Sequence, residues 1–160
     1  MLRAPATTPS FPTTQGRPQT TLAVCRGACR LMRQAGKSVL LEVPLPDGRR
    51  ADIFAIDASG DITIVEVKSS IEDWRADEKW PDYLGWCDQL YFAVSVDFPQ
   101  ALIAEDAGLI VADAYGGELL RAAPRRALAG ARRKALLIDS ARLAAERLAR
   151  LHDPDFAELP

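Results

Sequence analysis

Apolar residues recur at helical spacing in two places, one near each end of the chain. The first helix is predicted over 20–35 and stops at Gly36. The second is predicted over 127–152, because Pro154 prevents its continuation. The residues predicted to face inward on this last helix are Leu137, Ala141, Ala144, Leu148 and Leu151.

Between the two helices the pattern changes to short apolar runs rich in β-branched residues, which predict strands. A polar stretch, 71–79, interrupts them and predicts a helix, and Pro81 begins a second short helical piece. The predicted strands are 38–45, 50–57, 61–68, 89–96, 108–114 and 118–122. This order predicts an α/β (α+β) fold with a central mixed sheet of about five to six strands, flanked by an N-terminal and a C-terminal helix.

Length and composition predict one domain. The chain has 160 residues, of which 48% are hydrophobic and 26% charged, as in an ordinary globular protein. We expect a disordered tail rich in Pro and Thr at 1–18, a single domain at 19–154 and a short C-terminal tail at 155–160. No stretch approaches the roughly 20 apolar residues that cross a bilayer, so we expect no membrane span. Three cysteines without metal-binding spacing favour a reducing, cytoplasmic location.

Charge is unevenly distributed along a chain whose net charge is only −2. Residues 42–118 include 17 acidic and 5 basic residues, whereas residues 121–150 include 9 basic and 2 acidic ones. The weakly acidic total does not favour bulk attraction to a nucleic acid, although a local basic surface would still contact phosphates.

The second and third predicted strands carry the residues with the clearest chemistry. Side chains alternate along a strand, so Glu66 and Lys68 share one face of the third strand. Pairing across the loop at 58–60 places Asp52 directly opposite Glu66. Two carboxylates so close repel each other unless a positive charge lies between them, and such oxygen ligands suit Mg²⁺ or Mn²⁺. Lys68 would then assist an attacking water and stabilise the charge that grows on phosphorus.

The alternative is that Asp52 and Glu66 are solvated residues on the wet face of a sheet, with Lys68 neutralising one of them. Short acid-x-Lys patterns arise by chance, and the chain contains a second one, Asp77-Glu78-Lys79. That second match lies in a polar helical stretch, whereas the first ends an apolar strand. This context favours a metal site at the first pattern, Glu66-Val67-Lys68.

The segments Ala51-Asp52 and Glu66-Val67-Lys68 resemble the motif of the PD-(D/E)xK nucleases. The usual Pro of that motif is Ala51 here, a departure that leaves the metal-binding acid in place. The resemblance implies a restriction-endonuclease-like fold. It further implies that Asp52, Glu66 and the main-chain carbonyl of Val67 bind Mg²⁺ or Mn²⁺, and that Lys68 is catalytic.

A closer likeness, to the MmcB-like DNA repair proteins of bacteria, extends from about Thr20 to Pro154. The segments that carry it are Arg49-Arg50-Ala51-Asp52, Val65-Glu66-Val67-Lys68-Ser69-Ser70, Lys79-Trp80-Pro81-Asp82-Tyr83, Cys87-Asp88, Phe92-Ala93-Val94 and Gly108-Leu109-Ile110-Val111-Ala112-Asp113-Ala114. This resemblance implies a role in DNA repair alongside a damage-tolerance pathway, near the nucleoid. The implied partners are DNA, repair-pathway proteins and, as in many nucleases of this fold, a second copy in a homodimer.

Residues just after the motif are candidates for contacting DNA. Lys79 would contact a phosphate, and Trp80 or Tyr83 would stack on an unpaired base, which points to single-stranded or branched DNA. The alternative is that both aromatic rings are packing residues and that Lys79 is solvated. Ser69 and Ser70 would either support a substrate phosphate or cap the following helix.

Four further candidates lie on other elements. Glu42, central in the first predicted strand, resembles the upstream acid that accompanies the superfamily motif and is a candidate metal ligand. Arg50 lies beside the motif acid and would contact DNA. Arg26 and Arg30 on the first helix would contact the DNA backbone, or they form the wet face of an amphipathic helix.

We therefore expect a metal-dependent nuclease that hydrolyses DNA phosphodiester bonds during repair. The alternative is a catalytically silent nuclease-fold protein that binds DNA or recruits repair partners, and no residue excludes RNA as the substrate. If the protein is a nuclease, we expect one arrangement of the motif residues. The carboxylates of Asp52 and Glu66 converge on a polar hollow, with Lys68 at its rim, and the hollow opens to solvent widely enough for a nucleic-acid strand.

Overall fold

The computed structural model describes residues 18–153 and residue 155. Its strands are β1 (Ser38–Pro44), β2 (Arg50–Ile56), β3 (Ile62–Val67), β4 (Gln89–Val94), β5 (Gly108–Ala112) and β6 (Gly117–Arg121). Its helices are α1 (Gln19–Gln34), α2 (Ile71–Ala76) and α3 (Gly130–His152), with 3₁₀ helices at Trp80–Gly85 and Gln100–Leu102. The predicted layout, a mixed sheet with a helix before it and a helix after it, is confirmed. The predicted tails fall outside the described residues, except for Pro18 and Asp155.

Strand order in the sheet follows the chain, from β1 at one edge to β6 at the other. β1, β2 and β3 form an antiparallel meander, β3, β4 and β5 run parallel, and β6 returns antiparallel to β5. Parallel neighbours require a crossover, which α2 and the following 3₁₀ helix supply between β3 and β4. The register of β2 against β3 is the predicted one, because Ile56 pairs with Ile62 and Ile53 with Val65.

The sheet separates two apolar cores. The first, between α1 and the sheet, contains Val24, Ala28, Met32, Ile53, Val65 and Ala93. The second, on the opposite face, contains Phe54, Ile64, Tyr83, Leu90, Phe92 and Leu136. Because side chains alternate along β2 and β3, Asp52, Glu66 and Lys68 lie on the face of the second core.

Helix α1 lies very close to the turn between β5 and β6. A Cβ atom at Gly27 would lie 2.2 Å from the carbonyl oxygens of both Asp113 and Gly116, so this approach requires a glycine. Arg30, nearly one helical turn later, donates a hydrogen bond to the carbonyl of Tyr115 at 2.8 Å. The turn is therefore held against the helix.

The inward face of α3 was predicted one position out of phase. Leu136 and Ser140 are its buried residues, whereas Leu148 and Leu151 are exposed. Ala141 is exposed as well, while Leu137 and Ala144 are half-buried as expected. The helix turns this way because two arginines, Arg133 and Arg147, reach inward from it and bond to the sheet and its loops. Among the described residues, no helix is long and apolar enough to cross a membrane.

Candidate functional site

The residues of the predicted motif meet where β2 begins and β3 ends. The backbone N–H of Asp52 donates to Oε1 of Glu66 at 3.1 Å, and the N–H of Val67 donates to Oδ2 of Asp52 at 2.9 Å. These two bonds anchor each carboxylate to the backbone of the neighbouring strand, so the carboxylates lie side by side across the strand pair. The predicted neighbourhood of Asp52 and Glu66 is confirmed.

Glu66 lies in surroundings that oppose its negative charge. Burial, together with the charge of Asp52, raises the pKa of Glu66 to about 8. The N–H of Asp52, the Lys68 ammonium and the Tyr83 hydroxyl oppose this rise without cancelling it. A carboxylate pair that repels in this way is the donor set that a hard divalent cation relieves, so the residues present fit Mg²⁺ or Mn²⁺.

Lys68 binds an acid that the sequence analysis did not assign to the site. Its ammonium lies 2.6 Å from Oδ2 of Asp77, the residue directly after α2. The same ammonium lies 5.9 Å from the centre of the Phe92 ring, on the second-core face. Lys68 therefore points towards the layer that holds the carboxylates, as predicted. Asp77 belongs to the acid-x-Lys match that had been set aside, and that match was the available signal for it.

Aromatic residues cover the site. Tyr83 is buried, and its hydroxyl donates a hydrogen bond to the carbonyl oxygen of Arg50 at 3.3 Å. Burial, followed by the charge of Glu66, raises the pKa of Tyr83. Trp80 stacks on Trp74 at 6.2 Å and meets Phe92 edge-on at 5.6 Å. Both predicted base-stacking residues therefore occupy packing positions here, the alternative that the sequence had left open.

Among the residues that the structure describes, Glu66 and Lys68 do not face an open hollow as predicted. Glu66 is 4% and Lys68 5% exposed, because α2 and the 3₁₀ helix Trp80–Gly85 lie over them. Two cavities in the described part of the chain, of about 510 and 410 Å³, lie elsewhere. One is at the β5–β6 turn, and the other lies between the end of β1 and α3. We call residues 71–85 the roof of the site.

Glu42 lies level with Asp52 in the neighbouring strand, between the pairs Leu41–Ile53 and Val43–Ala51. Its φ angle of 51° is in the left-handed region, so β1 is irregular at this point. Its Oε1 lies 3.9 Å from the Arg50 guanidinium. Among residues 18–153 and 155, no three His, Cys, Asp or Glu residues are grouped as a metal site, so a ligand role for Glu42 stays a prediction.

Comparison with known proteins identifies the family. A family model described as DNA repair protein MmcB-like matches residues 9–155, which include the whole sheet and the motif. The chain belongs to the MmcB-like DNA repair protein family. This membership supports a role in DNA repair, as the sequence resemblance implied.

A solved structure resembles this MmcB-like chain closely. It is the SPO1766 protein of unknown function from Silicibacter pomeroyi, which is 42% identical. The match covers 86% of this chain and 94% of that one, with a TM-score of 0.81. No curated protein matches the chain.

The other candidate DNA contacts of this MmcB-like protein lie around the covered site. Ser70 caps α2, because its hydroxyl accepts a hydrogen bond from the N–H of Asp73 at 3.1 Å. The N–H of Ser69 in turn donates to the Asp73 carboxylate, so this region is organised as a helix start. Lys79 and Arg50 are exposed. Contact of these residues with DNA stays a prediction.

The two arginines proposed on α1 lie on the opposite face of the sheet. Arg26 and Arg30 are both exposed, and Arg30 is partly engaged by the carbonyl of Tyr115. Because α1 packs on the first core and the motif lies on the second-core face, these arginines lie on the other side of the sheet from Asp52 and Glu66. Their contact with DNA also stays a prediction.

A second buried charged group lies at the opposite end of β3. Oδ1 of Asp88 accepts hydrogen bonds from Arg133 at 2.7 Å and from the N–H of Leu128 at 2.9 Å. Oδ2 accepts from Arg133 at 2.6 Å and from the N–H of Ile62 at 2.8 Å. Although burial opposes it, these bonds lower the pKa of Asp88. The group ties α3 and the preceding loop to the start of β3.

Proposed function

We propose that this MmcB-like protein is a metal-dependent nuclease of the PD-(D/E)xK type that hydrolyses DNA phosphodiester bonds during repair. The observation that carries the proposal is that the carboxylates of Asp52 and Glu66 are each anchored to the backbone of the neighbouring strand, with Lys68 on the same face of the sheet. An excess of negative charge at the end of a buried strand, beside a lysine, has the composition of a phosphate-processing centre.

The metal would be held by Asp52, Glu66 and the main-chain carbonyl of Val67. When bound, a divalent cation activates water for attack and neutralises charge on the phosphate. Lys68 contributes a fixed positive charge for a phosphate oxygen in the transition state. Tyr83, whose hydroxyl donates to the Arg50 carbonyl, lies beside Glu66 and would limit the movement of its carboxylate.

A second candidate function also has an observation in its favour. Glu66 and Lys68 are almost fully covered, and Lys68 is paired with Asp77. A phosphate reaches Lys68 only if the roof, residues 71–85, moves. A protein in which the roof stays closed would keep the nuclease fold and act in repair by binding DNA or recruiting partners without cutting.

Incubation with labelled DNA separates the two functions. Single-stranded, duplex and branched DNA, with single-stranded RNA as a further arm, are incubated with the parent protein and Mg²⁺ or Mn²⁺. The variants are Asp52→Ala and Lys68→Ala, and Lys134→Ala, an exposed lysine on α3, is the matched control. The nuclease predicts cleavage by the parent and by Lys134→Ala, and loss of cleavage in the two site variants.

Two outcomes would overturn the proposed nuclease. The first is DNA binding by the parent and by both site variants without cleavage, which supports the recruiting protein. The second is cleavage that Lys68→Ala and Asp52→Ala retain in full, because the activity would then come from elsewhere. Cleavage of RNA in preference to DNA would keep the chemistry and change the substrate.

A further inference from the structure

Two carboxylates of the roof bind basic residues beside the motif. Oδ2 of Asp77 lies 2.6 Å from Nζ of Lys68, and Oδ2 of Asp82 lies 2.5 Å from Nη2 of Arg49. The side chains of these two bases are only 6% and 20% exposed. Lys68 is the proposed catalytic lysine, whereas Arg49, directly before β2, was not among the candidate DNA contacts. An acid of the roof therefore holds each of these two positive charges.

Arg49 lies at the border of the site. Its guanidinium lies 5.4 Å from the centre of the Tyr83 ring, and the Tyr83 hydroxyl donates to the carbonyl of Arg50 at 3.3 Å. Asp47, in the loop before β2, lies 3.6 Å from Nε of Arg49 and is not part of the roof. Asp47 therefore holds one side of the guanidinium, and Nη2, which binds Asp82, is the nitrogen that another anion could take.

The roof as a whole is negatively charged. Residues 71–85 include five acidic and two basic residues, which gives the segment a net charge of −3. This charge lies over a site that we propose to bind DNA, and like charges repel each other. A closed roof and a bound strand therefore oppose each other by their charge as well as by the space that they fill.

The first half of the roof is held to the sheet by few groups. α2, with which the roof begins, has no buried residue. The rings of Trp74 and Trp80 meet the Phe92 ring edge-on at 4.9 and 5.6 Å, and the ion pair of Asp77 adds to these contacts. Segments with few buried groups open locally at a lower free energy than the core of a domain. Opening of the roof therefore leaves the sheet intact.

We propose that Lys68 and Arg49 bind phosphates of a DNA strand, and that Asp77 and Asp82 of the roof occupy these two positions until the strand displaces them. Carboxylates and phosphates both present anionic oxygens to ammonium and guanidinium groups, so they compete for the same N–H donors. DNA therefore binds the open form of the roof in preference to the closed form. The inference rests on the DNA binding in the proposed function and does not require cleavage.

Fluorescence anisotropy with a labelled single-stranded oligonucleotide measures the competition, with a chelator present so that no DNA is cut. The double variant Asp77→Asn/Asp82→Asn should bind the oligonucleotide about fivefold more tightly than the parent, or better, because it removes the competing carboxylates. The matched control is Glu72→Gln/Glu78→Gln, which removes the same charge from two exposed acids of the roof. The control keeps both ion pairs, so it should tighten binding far less.

Substitution of Arg49 separates a phosphate contact from a group that merely holds the roof. In the Asp77→Asn/Asp82→Asn background, the roof no longer depends on the charge of Arg49. Arg49→Gln in this background should weaken DNA binding by about tenfold, because a charge-assisted hydrogen bond is lost. Arg150→Gln, at an exposed arginine near the end of α3, is the control and should change binding little.

Amide hydrogen exchange reports on the roof itself. Exchange of residues 71–82 should be faster in Asp77→Asn/Asp82→Asn than in the Glu72→Gln/Glu78→Gln control. Addition of the oligonucleotide to the parent should also speed this exchange, because the strand displaces the roof. A strand that bound on top of a closed roof would slow it instead.

Four results would overturn the inference. They are equal DNA binding by the two double variants, no loss of binding when Arg49 is replaced in the open background, DNA that slows or does not change exchange at 71–82, and no DNA binding by any variant. Because none of these readouts depends on cleavage, failure here is distinct from failure of the nuclease. A parent that cuts DNA and fails these tests keeps the proposed nuclease, and one that passes them without cutting keeps the roof as a competitor of DNA.

Discussion

The two ends of β3 carry buried charged groups of opposite character, although they lie on one strand of one sheet. At its start, every charge is matched. Asp88 receives two bonds from Arg133 and two from backbone N–H groups, and its pKa is lowered. Such a group holds elements together and needs no further ligand.

At the other end of β3 the charges do not balance. Asp52, Glu66 and Asp77 bring three carboxylates near one ammonium, that of Lys68, and the pKa of Glu66 rises to about 8. A fold keeps such an imbalance at a cost in stability, which is typical of a site that binds a ligand. The comparison teaches that the balance of charge around a buried carboxylate, more than its burial, distinguishes the structural group at Asp88 from the group that we propose to be functional at Glu66.

The largest loss of stability is expected at the start of β3, where the charge of Asp88 is matched. Asp88→Ala removes the buried carboxylate that the Arg133 guanidinium and two backbone N–H groups share, so it should lower the free energy of unfolding by about 3 to 5 kcal/mol. Urea denaturation measures this loss. Asp139→Ala, an exposed acid on α3, is the control and should change little. A loss below about 1 kcal/mol would show that the group is not structural.

Glu66→Gln is expected to raise the free energy of unfolding rather than lower it. Glu66 has a pKa of about 8 in the folded protein and an ordinary value near 4.5 in the unfolded chain. Between these values the folded state keeps a proton that the unfolded state releases, so the free energy of unfolding falls as pH rises from about 5 to 8.

Glu66→Gln removes this titration, so its free energy of unfolding should depend less on pH and should exceed that of the parent at pH 8 by a few kcal/mol. The measurement is urea denaturation across this pH range, with a chelator present to exclude divalent cations. Glu72→Gln, an exposed acid on α2, should follow the parent curve. If the free energies of unfolding of the parent and of Glu66→Gln had the same pH dependence, the proposed imbalance of charge around Glu66 would be refuted.

A smaller change is expected for Asp77→Asn. The substitution removes the ion pair of Lys68, which is destabilising, but it also removes one of the three acids, which offsets the loss. We expect a net cost of about 1 kcal/mol, well below that of Asp88→Ala, in the same urea experiment. A cost as large as that of Asp88→Ala would place Asp77 among the structural groups.

The arrangement of the motif residues at the end of β3 was predicted well from the sequence, because it depends on two strands joined by a short loop. The loop at 58–60 sets the register of β2 and β3, and strand alternation then places Asp52, Glu66 and Lys68 on one face. Six strands and two flanking helices follow from equally local patterns, and the family likeness carried by the motif segments is confirmed.

What the sequence missed depends on contacts between distant residues. The face of α3 is set by Arg133 and Arg147, which bond to groups far away in the chain, so the leucine pattern alone gave the wrong phase. The roof closes through rings of Trp74 and Trp80 that pack on Phe92. Composition and periodicity do not encode such packing, and the predicted open hollow failed for that reason.

Binding of Mn²⁺ tests most directly whether the unbalanced end of β3 is a metal centre. The parent, Glu66→Gln, Asp52→Asn and the control Glu72→Gln are titrated with Mn²⁺ near neutral pH, and the free ion is followed by electron paramagnetic resonance. The parent and Glu72→Gln should bind the ion, and both site variants should weaken binding by about tenfold or more. A parent that binds no Mn²⁺, or that binds it as tightly as Glu66→Gln and Asp52→Asn do, would contradict the account.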